Sequence, residues 1–160
     1  MIPYSKMRAA IAGGLKDYLG VPVIRGNQTA PRPPYPFVAY NVTTIAGQNG
    51  GSWQEHEDAD RKLVRSIWSI TALSKDWDES VNLAVKARQW FEHTGRAALS
   101  DQGFTVQSTT DITNRDNILT VEYERMNGFD VFFYVYDEAE RISDINGHIE
   151  TADITREETN

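Results

Sequence analysis

The spacing of apolar residues predicts an α+β fold: a mostly antiparallel sheet with two main helices packed on one face, a long exposed loop and an extended C-terminal segment. Three observations carry this. A helical period opens the chain at residues 5–19 and a second occupies 74–99. Elsewhere strand signals take over, at 37–45, 61–73, 104–113, 118–125 and 129–136. The strands after the second helix are separated only by turn-length gaps, and parallel neighbours would need a crossover of about a dozen residues or more.

In the first helix Met7, Ile11, Leu15, Tyr18 and Leu19 share a face, Ser5 is a candidate cap and Gly20 a stop. Gly13 and Gly14 weaken it, each by about 1 kcal/mol relative to Ala. Adjacent glycines in a helix imply that another backbone comes close; no Gly-Lys-Ser/Thr follows to make them a phosphate loop. Residues 21–25 form a short strand, with Pro22 suited to an edge or a strand start. Residues 37–45, rich in β-branched and aromatic side chains, form the next. Residues 46–60, glycine-rich and then acidic without an apolar period, form the exposed loop.

Residues 61–73 alternate Leu63, Arg65, Ile67, Ser69 and Thr71 with Val64, Ser66, Trp68, Ile70 and Ala72, and the second set is predicted to point inward. The second helix carries a stripe of Val81, Ala84, Val85, Arg88 and Phe91 flanked by Leu83, Ala87 and Trp90. Asp76, Asp78 and Glu79 favour its start through the helix dipole. It is predicted to be the longest helix, breaking near Gly95. Strands 104–113 and 118–125 then form a hairpin through Asn114-Arg-Asp-Asn117. Asn127-Gly128 is the strongest short signal for another hairpin, into 129–136; a glycine bulge within one long strand is the rival. A weak strand signal at 148–154 precedes a polar end.

The 160 residues make one domain, with a core over about 3–136, the loop at 46–60 and an acidic extension at 137–160. Of the net charge of −7, the extension holds eight acidic and two basic residues, a net of −6. The remainder is near neutral and shows no basic face, which argues against sequence-independent nucleic-acid binding. No apolar run is long enough for a membrane helix. The N-terminus lacks the order of a secretory leader, so two glycosylation sequons, at Asn27 and Asn41, read as chance. Cysteine is absent, which leaves the compartment open and a reducing cytosol compatible.

The sequence argues against an enzyme. Its three histidines, His56, His93 and His148, show no zinc-site spacing. Glu55-His-Glu-Asp58 with Asp60 could gather a hard cation, but EF-hand spacing is missing and a solvated loop explains the run better. No nucleophile elbow surrounds a serine. Glu122 and Glu124, on one strand face, read as a solvent-facing surface rather than an acid–base pair. Trp53, in the glycine-rich loop, is a candidate anchor for a partner. Trp68, Trp90, Phe91 and Phe133 read as core.

The stretch QTAPRPPYPF, residues 28–37, holds four of the six prolines. A polyproline ligand is one reading, since Pro31 to Pro34 and Pro33 to Pro36 fit PxxP. Its single copy, its place in mid-domain and its run into a strand favour a rigid loop that sets the start of that strand. Arg32 and Tyr35 on this loop are candidate contacts to a neighbouring subunit.

Several segments together resemble the neck or tail terminator proteins of long-tailed bacteriophages and prophages. They are the opening helix followed by Val23-Ile-Arg25; Asn27-Gln28 and Pro33-Pro-Tyr-Pro-Phe37 running into Val38-Ala-Tyr40; Trp68-Ser-Ile70; the helix with Ala87 and Trp90-Phe91; and Thr113-Asn-Arg-Asp-Asn117 leading to Glu122-Tyr-Glu124 and Gly128-Phe-Asp-Val131. They span nearly the whole chain in order. The resemblance implies a structural virion protein, assembled in the bacterial host cytoplasm, that forms a ring, often a hexamer, at the head-proximal end of the tail. The ring would end tube growth and join tail to head, with tail tube and connector proteins as partners. It implies no cofactor and no substrate, with DNA passing through the lumen without specific binding. The loop at 46–60, with Trp53, Glu55, His56 and Glu57, and the segment after Tyr136 would then reach neighbouring subunits, the tube or the connector. A head-completion or connector-stopper protein and a monomeric adaptor module are the competing readings.

Overall fold

Two sixteen-residue strands organise the sheet. The computed structural model describes residues 1–49, 51–117 and 124–141. In it β4 (Ala59–Ser74) and β7 (Arg125–Glu140) pair antiparallel along their whole lengths, from Ala59 opposite Glu140 to Ser74 opposite Arg125. Around them lie β1 (Val23–Arg25), β2 (Phe37–Gly47), β3 (Gln54–His56), β5 (Thr105–Thr109) and β6 (Thr113–Asn114). The order across the sheet is β1-β2-β4-β7-β5, with β3 added on β4 and β6 on β7. Among the described residues only β1 and β2 pair in parallel. The fold is α+β, with a mostly antiparallel sheet.

The inward face of β4 is the one its alternation predicts. Val64, Ser66, Trp68, Ile70 and Ala72 are buried, opposite Val135, Phe133, Val131, Phe129 and Asn127 of β7. Against this face lie Met7, Ile11 and Leu15 of α1 (Tyr4–Leu19) and Leu83, Ala84 and Ala87 of α2 (Trp77–Gln89). Trp68 is the hub, with Tyr4 and Tyr40 at centroid distances of 5.7 and 5.4 Å and Phe133 edge-on at 6.1 Å. The far face, with Ile67, Phe132 and Tyr134, is half-exposed, as one-sided antiparallel sheets allow.

Among the described residues α1 is the longest helix, not the second one. The second period divides into α2, a π-helical turn (Trp90–Thr94) and α3 (Arg96–Asp101). The Asp76 carboxylate caps α2 by accepting from the Glu79 N–H at 3.1 Å, as the acidic start suggests. The buried stripe of α2 is centred on Ser80, Leu83, Ala84 and Ala87, whereas Val81 and Val85 are only half-buried.

The glycine pair in α1 has separate explanations. Gly13 faces open space, but a Cβ on Gly14 would lie 2.3 Å from Trp90 Cζ2, and one on Gly95 2.2 Å from Trp90 Cε2. The close neighbour is an indole clasped between two glycines, not a backbone.

Asn127-Gly128 is neither a hairpin turn nor a bulge: it lies inside β7 in unbroken register with Ala72 and Thr71. The Asn127 amide donates to buried Ser80 Oγ at 3.0 Å. A Cβ on Gly128 would meet Ile70 O at 2.4 Å, so the glycine permits close approach of β4. Residues 105–114 pair with β7 through β5 and β6. Most of the expected strand at 118–125, the candidate strand at 148–154 and most of the acidic extension lie outside the described residues; β7 itself runs past Tyr136 to Glu140.

Candidate functional site

At about 3.3 Å per residue, β4 separates two groups of polar side chains by about 50 Å. The sequence-derived candidates divide between them: Arg32 and Tyr35 at one end, Trp53, Glu55, His56 and Glu57 at the other.

At the first end the proline loop is fastened to the start of β7. Glu124 Oε1 accepts from Arg32 Nη1 at 2.7 Å and from the Tyr35 hydroxyl at 2.8 Å. Tyr35 stacks on Phe37 at 5.5 Å, Lys75 Nζ lies 5.9 Å from its ring centre, and the Tyr35–Pro36 peptide is cis. Burial first, then the hydrogen bond and charge of Glu124, push the Tyr35 phenol above its ordinary pKa. Glu124 is buried, so the solvent-facing reading fails for it; Glu122 lies outside the described residues. The sequence missed this role because its partners lie 92 and 89 positions away. Arg32 nonetheless leaves 65% of its side chain exposed.

The loop that holds Arg32 roofs a cleft of about 200 Å³, whose lining includes Asn27, Gln28, Asn41, Thr71 and Met126 but no carboxylate or histidine. Beside it Arg115, read from sequence as a turn residue, crosses the outer sheet face to Asp130 Oδ1 at 3.1 Å and Thr71 Oγ1 at 3.3 Å.

At the other end the sheet projects as an arm. Beyond Val64 and Val135 no described residue of β3, β4 or β7 is buried. The segment 46–60 is exposed as expected, and it contains β3, which forms a small hairpin with β4 from His56 opposite Ala59 to Gln54 opposite Arg61. Trp53, just before β3, is 47% exposed. His56 Nε2 and Arg61 Nη1 lie 3.1 Å apart, and Arg61 Nε pairs with Glu138 at 2.7 Å. Arg141 closes the arm by pairing with Glu55 at 3.1 Å and donating to the Glu57 carbonyl. The chain's amino terminus meets Asp137 at 3.1 Å at the base.

Among the described residues no group of three or more His, Cys, Asp or Glu is placed to hold a metal ion. No described helix is long and apolar enough to cross a membrane. What the fold presents is a long-stranded sheet with polar surfaces at two remote ends. The chain belongs to the phage neck terminator family: the family model described as Phage neck terminator protein matches residues 9–159, nearly the whole chain. It is therefore a structural component of the bacteriophage virion. No curated protein matches the sequence at significance.

Proposed function

We propose that the protein forms a ring, hexameric in order, at the head-proximal end of the tail, where it stops tube growth and joins the tail to the head connector. Its partners would be other copies of itself, the tail tube protein and the connector proteins, with DNA passing through the lumen. It performs no chemistry and takes no cofactor. The observation that carries this reading, given the family, is the division of the contact candidates between opposite ends of one long strand pair. A ring built from different patches on each subunit needs such a division, because its interfaces are heterologous. Trp53, Glu55, His56 and Glu57 would contact neighbours through the arm, and Arg32 and Tyr35 through the opposite end.

Removing residues 47–57 tests the arm's part, since none of the described residues in that segment is buried. The shortened protein is expected to stay folded but to lose both ring formation and attachment to tails. Survival of both would refute the reading. Negative-stain images of the intact protein mixed with tail tubes and with filled heads test the location. Rings capping one end of the tubes are expected, whereas rings only on heads would move the protein to the connector-stopper position.

A further inference from the structure

The arm is acidic and the α1–β1 surface is basic, and apart from the amino terminus, which meets Asp137, their charges do not pair with each other within one copy among the described residues. Residues 54–63 and 136–141, which make up the arm, hold seven acidic side chains against three basic ones. Two of the three bases are engaged inside the arm, Arg61 with Glu138 and Arg141 with Glu55. Glu57, Asp58 and Glu140 have no basic side chain within ion-pair distance among the described residues, and all three are exposed.

Residues 1–36 hold five basic side chains and one acidic, of which Lys6 shares a cleft with Arg61 and Glu138 at the base of the arm. Arg8 and Lys16 of α1 and Arg25 of β1 are exposed, with no carboxylate at ion-pair distance among the described residues. Arg8 and Arg25 belong to one surface. Both act on the same two phenols, half-buried Tyr4 and buried Tyr40, whose pKa values burial raises and these cations pull back. That surface flanks β1, which among the described residues is at the edge of the sheet and pairs only with β2.

The register fixes how far apart the patches are. Arg25 stands opposite Tyr40, and Tyr40 opposite Ile70. From Ile70 the strand runs eleven residues to Ala59 at the root of the acidic turn, about 36 Å at ~3.3 Å per residue. No side chain spans that distance.

We propose that the arm of one copy docks head to tail on the α1–β1 surface of the next, the acidic turn at Glu57 and Asp58 meeting Arg8 and Arg25; this rests on the ring reading above. The contact uses two different patches, so it repeats from copy to copy. Its charges guide encounter and fix register more than they add raw affinity, and its strength falls with salt as the screening length drops from about 8 Å at physiological ionic strength to about 3 Å at 1 M.

The absence of cysteine makes the test clean. Arg25→Cys and Asp58→Cys are introduced together and treated with a bis-maleimide of about 10 Å reach, too short to join the two sites within one copy on the separation above. The expected product is a ladder extending beyond dimers, weakened by high salt, with each single variant stopping at dimers. A ladder that is absent, or that stops at dimers in the double variant, overturns the proposal. In parallel, Glu57→Lys with Asp58→Lys, and Arg8→Glu with Arg25→Glu, are each expected to weaken ring formation on tail tubes by about tenfold or more, and all four together to restore most of it. Rings that form equally well in every variant overturn the docking surface and leave the ring reading standing. Wild-type protein that forms no ring on tubes or heads overturns both.

Discussion

Gly13 and Gly14 are neighbours in one helix, yet replacing them with alanine should move stability in opposite directions. Each replacement gains about 1 kcal/mol of helix propensity. At Gly13 nothing lies within 4 Å of the new Cβ, so the gain stands. At Gly14 the methyl arrives 2.3 Å from Trp90 Cζ2 and 2.9 Å from Cη2. The indole cannot retreat, because Gly95 already lies against its other atoms and Phe91 meets it edge-on at 4.9 Å. Overpacking of this kind costs about 1–3 kcal/mol, and the fixed ring places it at the upper end. The expected net changes are about 1 kcal/mol stabilising for Gly13→Ala and about 2 kcal/mol destabilising for Gly14→Ala. For a domain of this size that is a rise in Tm of about 2–4 °C and a fall of about 4–8 °C. Thermal unfolding followed by circular dichroism reads both. Trp90→Phe removes the ring atoms that clash, so in that background the Gly14→Ala penalty should largely disappear. A Gly14→Ala protein as stable as Gly13→Ala, with Trp90 intact, would refute the reasoning.

Other sites give equally direct expectations. Glu124→Gln should destabilise by about 1–2 kcal/mol by weakening the charge-assisted bond from Arg32, and hydrogen exchange should speed up across the proline loop before the core is affected. Ser80→Ala strands the buried Asn127 amide, which donates to Ser80 Oγ at 3.0 Å, and should cost about 1–3 kcal/mol in urea unfolding. Asp116 is raised by burial, but this is outweighed by the Met126 N–H, Arg125 and Asn114, so its pKa falls below the ordinary 3.8. A depressed carboxyl pKa stabilises the fold above 3.8 and ceases to do so as pH falls through the lowered value. Asp116→Asn should therefore lower Tm near neutral pH, and its difference from wild type should shrink in acid below that value.

The legible parts of the fold were those set by local periodicity. The alternation in β4 picked out Val64, Ser66, Trp68, Ile70 and Ala72 as inward because period two admits no other face once one side is apolar. Asn127-Gly128 misled because its chemistry fits a tight turn, while its actual uses are nonlocal: an amide that reaches Ser80 on α2 and a glycine that lets β4 come close. The position of α2's buried stripe was missed by about one residue because buried Ser80, whose hydroxyl donates to Ala72 O at 2.9 Å, does not register as apolar. Glu124 was invisible for a similar reason, since a buried carboxylate is recognisable only beside its partners. In the candidate site, exposure of Trp53 and of the acidic turn followed from composition. That they ride on an arm, and that Arg32 and Tyr35 occupy the remote end, depends on a strand register that spacing alone does not reveal.

The arm and the body rest on different kinds of stabilisation, and this bears on assembly. Around Trp68 the strands are held by apolar burial on one face and by main-chain pairing on both sides. Past Val64 the burial ends, leaving backbone pairing together with ion pairs such as Arg61 with Glu138 and Arg141 with Glu55, in which at least a quarter of each side chain is exposed. Exposed pairs contribute about 0–1 kcal/mol each, and less as salt rises. The arm is thus the least stabilised part of the sheet, and local opening should occur there at lower free energy than in the body. On the docking proposed above, a surface that binds the arm in its extended form would supply the missing burial, so ordering of the arm and docking would reinforce each other. Substitutions at the tip should then act on assembly far more than on folding.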